Sequence, residues 1–268
     1  MIKKQFLILL YLTSIASTSE LDLGLGGGAL YYPNYLGAED SSVLALPYPY
    51  IDYRSKKLKI DKDGLQQELF SIKGLTARIS MSGSLPSKAS KARDGMDKLD
   101  LAGEIGPALV YSLYEEGEFS IKLDLPIRAV VSTDFEGIDY RGYLYELKAK
   151  IEYKNEDDYL YQFHTGGVWG DSRYNNYIYG VEKKFVTPNR GFYNAEAGYS
   201  GYKTSFAISK KFKKVWAGAF IRHYDLNGVS FSDSPLLAKK SAIYSGIFVA
   251  YIFDKELSNK FKNWLESF

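Results

Sequence analysis

Two histidines, His164 and His223, are the side chains of this sequence best suited to act as a general base near neutral pH. A serine hydrolase needs such a base beside a serine hydroxyl, yet no serine stands two positions from either histidine. His164 shares its parity with Leu160 and Gln162, opposite Tyr161, in a strand-like alternation. We therefore expect His164 to point into the interior and form hydrogen bonds there, and we expect no enzymatic activity.

Acidic clusters and glycine runs are the other features with possible chemistry. The acidic pairs lack the further oxygen ligands at regular spacing that a calcium site shows. The run Gly26–Gly28 is followed by no Lys-Ser or Lys-Thr, so it is not a phosphate-binding loop. The sequence therefore predicts no metal and no cofactor. The acidic pairs are Glu39-Asp40, Glu115-Glu116 and Asp157-Asp158.

The charged residues with the most informative spacing alternate with apolar residues. Within residues 119–130 apolar side chains stand at every second position, and Asp124 and Arg128 stand between them. This period of two predicts a strand with one polar and one apolar face. It recurs at 99–114 and 143–153, each run being roughly the length that crosses a bilayer as a tilted strand. A soluble antiparallel sandwich would alternate too, because one face of each sheet is wet.

Composition favours the membrane over the soluble sandwich. Aromatic residues are 16% of the chain, with 24 Tyr and 15 Phe, and the chain has 24 Gly and no Cys. Tyrosine-rich strands suit a barrel with aromatic girdles at both membrane interfaces, and a closed barrel needs no disulfides. The sequence therefore predicts an all-β fold, a closed antiparallel transmembrane β-barrel over residues 20–253. The net charge of +2 gives no indication of nucleic-acid binding.

Residues 1–19 have the three parts of a secretory signal peptide. Lys3 and Lys4 precede an apolar run at 6–12, and small residues follow as far as Ser19. The apolar run is too short to span a membrane as a helix. We expect residues 1–19 to be cleaved after export through the Sec pathway, and the barrel to lie in the outer membrane of a Gram-negative bacterium.

The alternating pattern predicts twelve strands, with ten or fourteen as alternatives, because single-chain bacterial barrels have even strand numbers. Short periplasmic turns and longer outer loops are expected to alternate. The predicted strands are 21–32, 43–54, 64–82 with a break near Lys73-Gly74, 99–114, 117–132, 141–153, 158–170, 174–185, 191–199, 202–212, 215–226 and 243–253. The predicted periplasmic turns are 54–56, 115–117, 154–157, 187–190 and 213–214.

The tail at 254–268 is predicted to form a short C-terminal amphipathic helix. Apolar residues that include Leu257, Phe261, Trp264 and Leu265 fall at helical spacing. The helix either packs on the periplasmic rim or binds a partner. In the second case Phe261, Trp264 and Leu265 are the candidate contacts.

Charge pairing predicts how three strands align. A turn centred on Glu116 sets Glu104 opposite Arg128, and a loop centred on Gly137 sets Arg128 opposite Glu146. Arg128 is therefore predicted to lie between Glu104 and Glu146 inside the barrel, as a structural bridge.

The second of these registers predicts two more opposite-charge pairs. Asp124 would stand opposite Lys150, and Lys122 opposite Glu152. A shift of two residues would set Lys122 against Lys150, which is disfavoured because like charges directly opposite destabilise a sheet.

Short strings along the chain occur in the order of one protein family, from about residue 24 to residue 253. They are Gly26-Gly27-Gly28 with Tyr31 and Tyr35-Leu36-Gly37; Leu46-Pro47-Tyr48 with Asp52-Tyr53-Arg54; Ala92-Arg93-Asp94-Gly95-Met96; Leu99-Asp100 with Glu104-Ile105-Gly106-Pro107; Leu125-Pro126-Ile127-Arg128-Ala129; Tyr179-Gly180-Val181; and Asn227-Gly228-Val229 with Phe231-Ser232-Asp233-Ser234-Pro235-Leu236. By these strings the chain resembles the MipA/OmpV family, the MltA-interacting proteins. Asp97 follows Met96 where the family pattern has proline, and the tail after Phe253 lies outside the pattern.

The resemblance implies an outer-membrane barrel. The best-known family member is described as a scaffold that brings a lytic transglycosylase together with a bifunctional murein synthase, and other members are described as surface antigens or adhesins. The resemblance assigns no role to the motif residues of two loops. These residues are Arg93, Asp94, Gly95, Met96, Asp233, Ser234 and Pro235.

We therefore expect a monomeric scaffold for murein (peptidoglycan) synthesis and remodelling enzymes. The alternatives are a pore or uptake channel and a surface adhesin acting through the outer loops. A channel needs a continuous wet path, whereas the lumen of a scaffold can be filled by paired side chains. Outer-membrane lipid and lipopolysaccharide are further expected partners. The loop 83–98 is basic, and it either binds anionic lipopolysaccharide, folds into the lumen as a constriction, or is an ordinary solvated loop. Its charged residues are Lys88, Lys91, Arg93 and Lys98 against Asp94 and Asp97.

Overall fold

The chain folds into a closed barrel of twelve antiparallel strands, as predicted. The computed structural model describes residues 20–55, 57–61, 64–84, 86 and 90–265. The strands are β1 (Glu20–Pro33), β2 (Ser41–Arg54), β3 (Leu58–Asp61), β4 (Gly64–Ile72), β5 (Leu75–Ser84), β6 (Leu101–Glu116), β7 (Phe119–Thr133), β8 (Ile138–Lys154), β9 (Tyr159–Gly170), β10 (Gly198–Phe212), β11 (Val215–Asp225) and β12 (Ser241–Ile252). Each strand pairs with the next, and β12 pairs with β1, so the sheet closes on itself. The predicted signal peptide, residues 1–19, lies outside the described residues.

Two α-helices accompany the barrel within the described residues, α1 (Ser172–Tyr179) in the connection after β9 and α2 (Lys255–Leu265) after β12. The predicted C-terminal helix is confirmed by α2. Within the part of the chain that the structure describes, neither helix is long and apolar enough to cross a membrane.

The strand count agrees with the prediction, but two predicted strands are wrong. The segment 174–185 forms α1 and a 3-10 turn at Lys183–Phe185, and 191–199 is irregular until β10 begins. The Asp171 carboxylate accepts a hydrogen bond of 2.8 Å from the Tyr174 amide, and this cap starts the helix. The number of strands is still twelve, because β3 was not predicted and because 64–82 divides into β4 and β5 at the expected break.

All long connections lie at one end of the barrel, which we call the loop end. They are 34–40, 90–100, 171–197 and 226–240, and the four-residue connection 134–137 lies at the same end. The connections 73–74, 117–118, 155–158 and 213–214 and the described residues 55 and 57 lie at the other end, the turn end. The predicted periplasmic turn at 187–190 is wrong, because Thr187 and Arg190 pair within the long connection after β9, at the loop end.

The outward faces of the strands form an apolar belt between two rings of aromatic side chains. Exposed Tyr31, Tyr143, Trp169 and Tyr202 lie towards the loop end. Aliphatic side chains such as Leu125 cover the middle. Exposed Tyr111, Tyr153, Phe212 and Tyr251 lie towards the turn end. This arrangement fits a bilayer with an interface at each ring.

Glycines on β1 allow the seam between β1 and β12 to close tightly. A Cβ atom added at Gly26 would lie 1.8 Å from the Val249 carbonyl oxygen, so no other residue fits at this backbone approach. The run Gly26–Gly28 therefore serves strand packing.

The closed sheet predicts heat-modifiable migration. Unheated protein in detergent should migrate differently from boiled protein on gels, because a barrel without a free edge resists unfolding by detergent. Proteases should cut only in the loop-end connections. Recovery of the protein from periplasmic extract without detergent would contradict the membrane barrel.

Candidate functional site

The interior face of β7 carries the most deeply buried charges of the barrel. Asp124 is completely buried and Arg128 is 6% exposed, whereas Leu125 and Ile127 between them are 44% and 46% exposed. The alternation predicted from the sequence therefore sets polar side chains inward and apolar side chains toward the lipid.

Arg128 lies between the two glutamates, where the sequence placed it. Its Nε atom is 3.0 Å from Glu104 Oε2 on β6, and its Nη2 atom is 2.9 Å from Glu146 Oε2 on β8. Glu146 also pairs with Lys148 at 2.8 Å and with Lys203 of β10. Two carboxylates and three cations thus form one connected network on the interior wall.

Asp124 forms the centre of a second interior group. Its Oδ2 atom is 2.7 Å from Arg78 Nη2 of β5, 2.8 Å from Lys150 Nζ and 3.7 Å from Lys148 Nζ of β8. Arg78 reaches past β6 to Asp124, because its neighbour on β6 is the small Ala108. Lys148 joins this group to the Arg128 network, so the two form one ionic layer on the interior faces of β5 to β10.

The predicted register is wrong by two residues on both sides of β7. Arg128 stands directly opposite Leu144 and next to the β6 segment at Gly106, and Lys122 stands opposite Lys150, the arrangement that had been disfavoured. The hairpin after β6 closes at Glu116 with a two-residue turn, and bulges interrupt both ladders.

Arg128 still pairs with both glutamates, because ion pairs can form between residues that are not directly opposite each other. Long side chains reach a neighbour two positions along the facing strand. Lys150 turns to Asp124, and Lys122 turns to Glu115 at 3.2 Å, so the two lysines diverge. Glu152 accepts a hydrogen bond of 2.5 Å from Gln162, and the predicted pair of Lys122 with Glu152 stays a prediction.

The long connections at the loop end pack together into a cap over the barrel mouth. Its apolar centre is the Tyr179–Phe231 stack, with ring centroids 3.7 Å apart and both side chains fully buried. The further buried members come from four connections. They are Tyr35, Ala38, Leu99, Ala195, Leu226 and Val229.

Hydrogen bonds join the loops of the cap to one another. The Tyr35 hydroxyl donates to the Leu236 carbonyl oxygen at 2.5 Å, and the Tyr179 hydroxyl donates to the Leu36 carbonyl oxygen at 2.9 Å. Burial raises the pKa of Tyr35 to about 12, and it raises the pKa of Tyr179 as well. Both hydroxyls therefore keep their protons and remain donors at physiological pH.

Motif residues of unassigned role prove to build this cap. Arg93 Nη1 donates to the Ile178 carbonyl oxygen at 2.6 Å, and Ser234 Oγ donates to the Tyr179 carbonyl oxygen at 2.7 Å. Asp94 accepts a hydrogen bond of 2.8 Å from Arg190 through its carbonyl oxygen.

The neighbouring motif residues belong to the turns that contain Arg93 and Ser234. Gly95 has a positive φ of 73°, and the Met96 amide donates to the Arg93 carbonyl oxygen. Asp233 and Pro235 flank the buried Ser234. The motif strings at 92–96 and 231–236 therefore hold the cap closed.

Two cavities lie in the part of the lumen that the structure describes, and they share no lining residue. The larger, about 510 Å³, opens at the turn end among residues that include Arg54, Lys122, Glu152 and Lys211. The smaller, about 330 Å³, lies under the cap. Arg78, Asp124, Lys148 and Lys150 line neither cavity and occupy the ionic layer between them.

The structure brings a serine to a histidine in a way that the sequence did not indicate. On the outward face of the loop end, His223 Nε2 lies 2.9 Å from Ser241 Oγ of the neighbouring strand. Within the described residues, the Asp225 carboxylate bonds to Asn227, not to the histidine ring. The pair thus lacks the third group that orients a catalytic base. Within the same residues, no three His, Asp or Glu side chains are grouped to hold a metal ion.

Ion pairs fix helix α2 to the turn end. Lys255 Nζ is 2.7 Å from Asp22 Oδ1 of β1, and Asp22 also pairs with Lys211. Asp254 pairs with Lys214 at 2.6 Å. The side chains of Phe261, Trp264 and Leu265 lie outside the described part, so their role in partner binding stays a prediction.

Replacing Arg128 with leucine should lower the free energy of unfolding by about 3 to 5 kcal/mol, because it leaves Glu104 and Glu146 buried without their shared cation. Urea unfolding in detergent measures the change. The matched control is Arg54→Leu, which breaks an exposed pair with Asp52 and should cost at most about 1 kcal/mol. Equal losses in the two variants would contradict the buried network.

Replacing Phe231 with alanine should loosen the cap, since truncating a buried phenylalanine costs about 3 to 5 kcal/mol. Trypsin cleavage after Lys183 and Lys184 should then be at least about tenfold faster. Phe192 is 59% exposed, so Phe192→Ala is the matched control and should leave the rate unchanged. Unchanged cleavage in both variants would show that the stack does not hold the cap.

Three solved structures that match this chain over most of its length are distant in sequence. A NanC porin structure is 10% identical, covers 87% of this chain and 99% of that chain, and has a TM-score of 0.38. The outer membrane protein OprG from Pseudomonas aeruginosa is 11% identical over 87% and 95%, with a TM-score of 0.25. The outer membrane protease OmpT from Escherichia coli is 10% identical over 90% and 99%, with a TM-score of 0.28. These values carry no statement about function.

The family comparison is more specific. No curated protein sequence is significantly similar to this chain. The family described as MltA-interacting protein MipA matches residues 25–253, which include all but the first residues of the barrel. With its closed barrel and apolar belt, the chain therefore belongs to the MipA family of MltA-interacting proteins and is an outer-membrane β-barrel.

Proposed function

We propose that this barrel is a non-conducting scaffold that presents its turn end to murein-processing enzymes in the periplasm. The observation that carries the proposal is the ionic layer around Asp124 and Arg128, which places paired, buried side chains between the two lumenal cavities. Moving a solute through it would mean separating buried charges, which is costly. The cap adds a second obstacle at the loop end.

The turn end offers a surface suited to a protein partner. Its open cavity is lined by both acidic and basic side chains, including Asp52, Lys59, Glu115 and Lys154, and helix α2 lies beside it. Such a mixed rim favours recognition by complementary charge. The family description as MltA-interacting proteins favours a murein enzyme as the partner, and we propose a lytic transglycosylase and a murein synthase.

Crosslinking in cells tests the scaffold directly. A photo-crosslinking amino acid at exposed Lys213, in a turn, should capture a lytic transglycosylase or a murein synthase. The same group at Phe135, which is exposed at the loop end, is the matched control and should capture neither enzyme. Capture of neither enzyme from Lys213 and from further turn-end positions such as Glu118 would contradict the scaffold.

Single-channel recording on the purified barrel separates the scaffold from the rival channel. The intact ionic layer predicts no conductance steps in a planar bilayer. Regular conductance steps that disappear when the loops of the cap are cross-linked to one another would favour the uptake channel. Binding of host surfaces through the loop end, without turn-end capture, would favour the adhesin.

Truncation after Phe253 tests the role of the tail within this proposal. If α2 only packs on the rim, the shortened barrel should assemble and still capture the enzymes. Loss of capture with normal heat-modifiable migration would make α2 a binding helix.

We further propose that the chain has no hydrolytic activity, although His223 and Ser241 are in contact. Phospholipid and lipopolysaccharide substrates in mixed micelles should remain intact. Hydrolysis that is lost in Ser241→Ala would overturn this part of the proposal.

A further inference from the structure

The cavity under the cap is lined by charged and aromatic side chains. It measures about 330 Å³, within the lower range of small-molecule sites. Six charged residues line it, contributed by β6, β7, β8, β10, β11 and the connection before β6. They are Asp100, Glu104, Arg128, Glu146, Lys203 and Arg222.

Five of these six charges are paired within the protein. Glu104 pairs with Arg128, Glu146 pairs with both Arg128 and Lys203, and Asp100 lies 3.4 Å from Arg141 outside the cavity. One cation of the lining is left without a carboxylate partner among the described residues.

That cation is Arg222, on the interior face of β11. Among the described residues, the Arg222 side chain has no carboxylate partner and no hydrogen bond, and its Nε atom is buried. Its guanidinium carbon lies 5.7 Å from the centroid of the Phe220 ring, which gives a cation–π contact only. A guanidinium presents a planar set of donors that matches a carboxylate, so Arg222 favours an anionic ligand.

Three tyrosines add further polar groups to the lining of this cavity. Tyr174 of α1, Tyr224 of β11 and Tyr244 of β12 line the same cavity. The rings of Tyr224 and Tyr244 meet edge to face, with centroids 5.5 Å apart. Within the described residues none of the three hydroxyls hydrogen bonds to another protein group. The cavity therefore combines one cation without a carboxylate partner, three tyrosine hydroxyls that bond to no protein group among the described residues, and flat aromatic faces.

The charges on the walls limit the ligand to a single negative charge. Glu104 and Glu146 also line the cavity, and they would repel the second charge of a phosphate dianion. Phenolic hydroxyls suit a ligand with several hydroxyl groups, and aromatic faces suit the flat apolar side of a sugar ring. From these features we propose that the cavity under the cap binds a sugar acid, a monosaccharide-sized molecule with one carboxylate held by Arg222.

This site does not depend on the scaffold role, because it lies at the opposite end of the lumen from the surface proposed for enzyme capture. A barrel that binds a sugar acid and captures no enzyme would refute the scaffold alone. A barrel that captures enzymes and binds no sugar acid would refute the site alone.

Calorimetric titration of the purified barrel in detergent with sodium glucuronate tests the proposal. Wild-type protein should bind glucuronate with a dissociation constant of about 1 mM or tighter. Glucose and inorganic phosphate should bind at least about tenfold more weakly, because one lacks the carboxylate and the other carries a second charge.

Variants identify the residues that hold the ligand. Arg222→Met should weaken binding by about tenfold or more, Arg222→Lys should weaken it less, and Tyr244→Phe should weaken it by a few-fold, since it removes only a hydroxyl. Arg54→Met, at the turn end, is the matched control and should bind like wild type. Heat-modifiable migration checks that each variant has folded.

Two outcomes would overturn the proposal. One is equal binding by wild type and by folded Arg222→Met. The other is the absence of binding at about 10 mM glucuronate, even when the barrel is refolded in its presence so that the cap closes around the ligand. Tighter binding of phosphate than of glucuronate would replace the sugar acid with a simple oxyanion and would also contradict the proposal.

Discussion

The barrel depends on the pairing of charges that it buries. A twelve-stranded sheet encloses more space than aliphatic side chains of alternate residues fill, and this chain fills the middle with Arg128, Asp124 and their partners. Each buried charge is tolerated only while its partner is in reach. The partners come from β5, β6, β7, β8 and β10, so one wall of the barrel must keep a single alignment. Even the small residues of β6 follow from this need, because Arg78 crosses them to reach Asp124.

Much of the barrel could be predicted from period-two alternation, since each strand separates lipid from the interior. The predicted register failed because opposite charges were matched as direct neighbours, whereas long side chains meet diagonally and bulges add single residues. The pairing of Arg128 was nevertheless foreseen, since its two glutamates lie on adjacent strands. Arg78 and Lys203 were missed, because strands distant in sequence bring them to Asp124 and Glu146. No local pattern records such contacts.

The cap could not be predicted from the sequence, because its contacts also join residues that are distant along the chain. Tyr35 meets Leu236, and Tyr179 meets Leu36, across long separations along the chain. The loops carry polar and small residues typical of exposed connections, so each looked independent. Within 174–185 a helical signal was present: Asp171 is a capping residue, and Tyr174, Tyr177 and Ile178 have helical spacing. The segment was nevertheless predicted to be a strand.

The glycine-lined seam between β1 and β12 bears on how the molecule assembles. These two strands are the ends of the barrel sequence, so they meet only after the whole chain has been delivered to the membrane. Gly26 of β1 lies against the Val249 carbonyl oxygen of β12, and Gly28 lies against the Phe248 side chain, so the two strands approach this closely only because β1 carries glycines there. Asp22 of β1 pairs with Lys211 of β10 and with Lys255 of α2. These ion pairs join the first strand to elements from the end of the sequence, so helix α2 contributes to holding the closed seam.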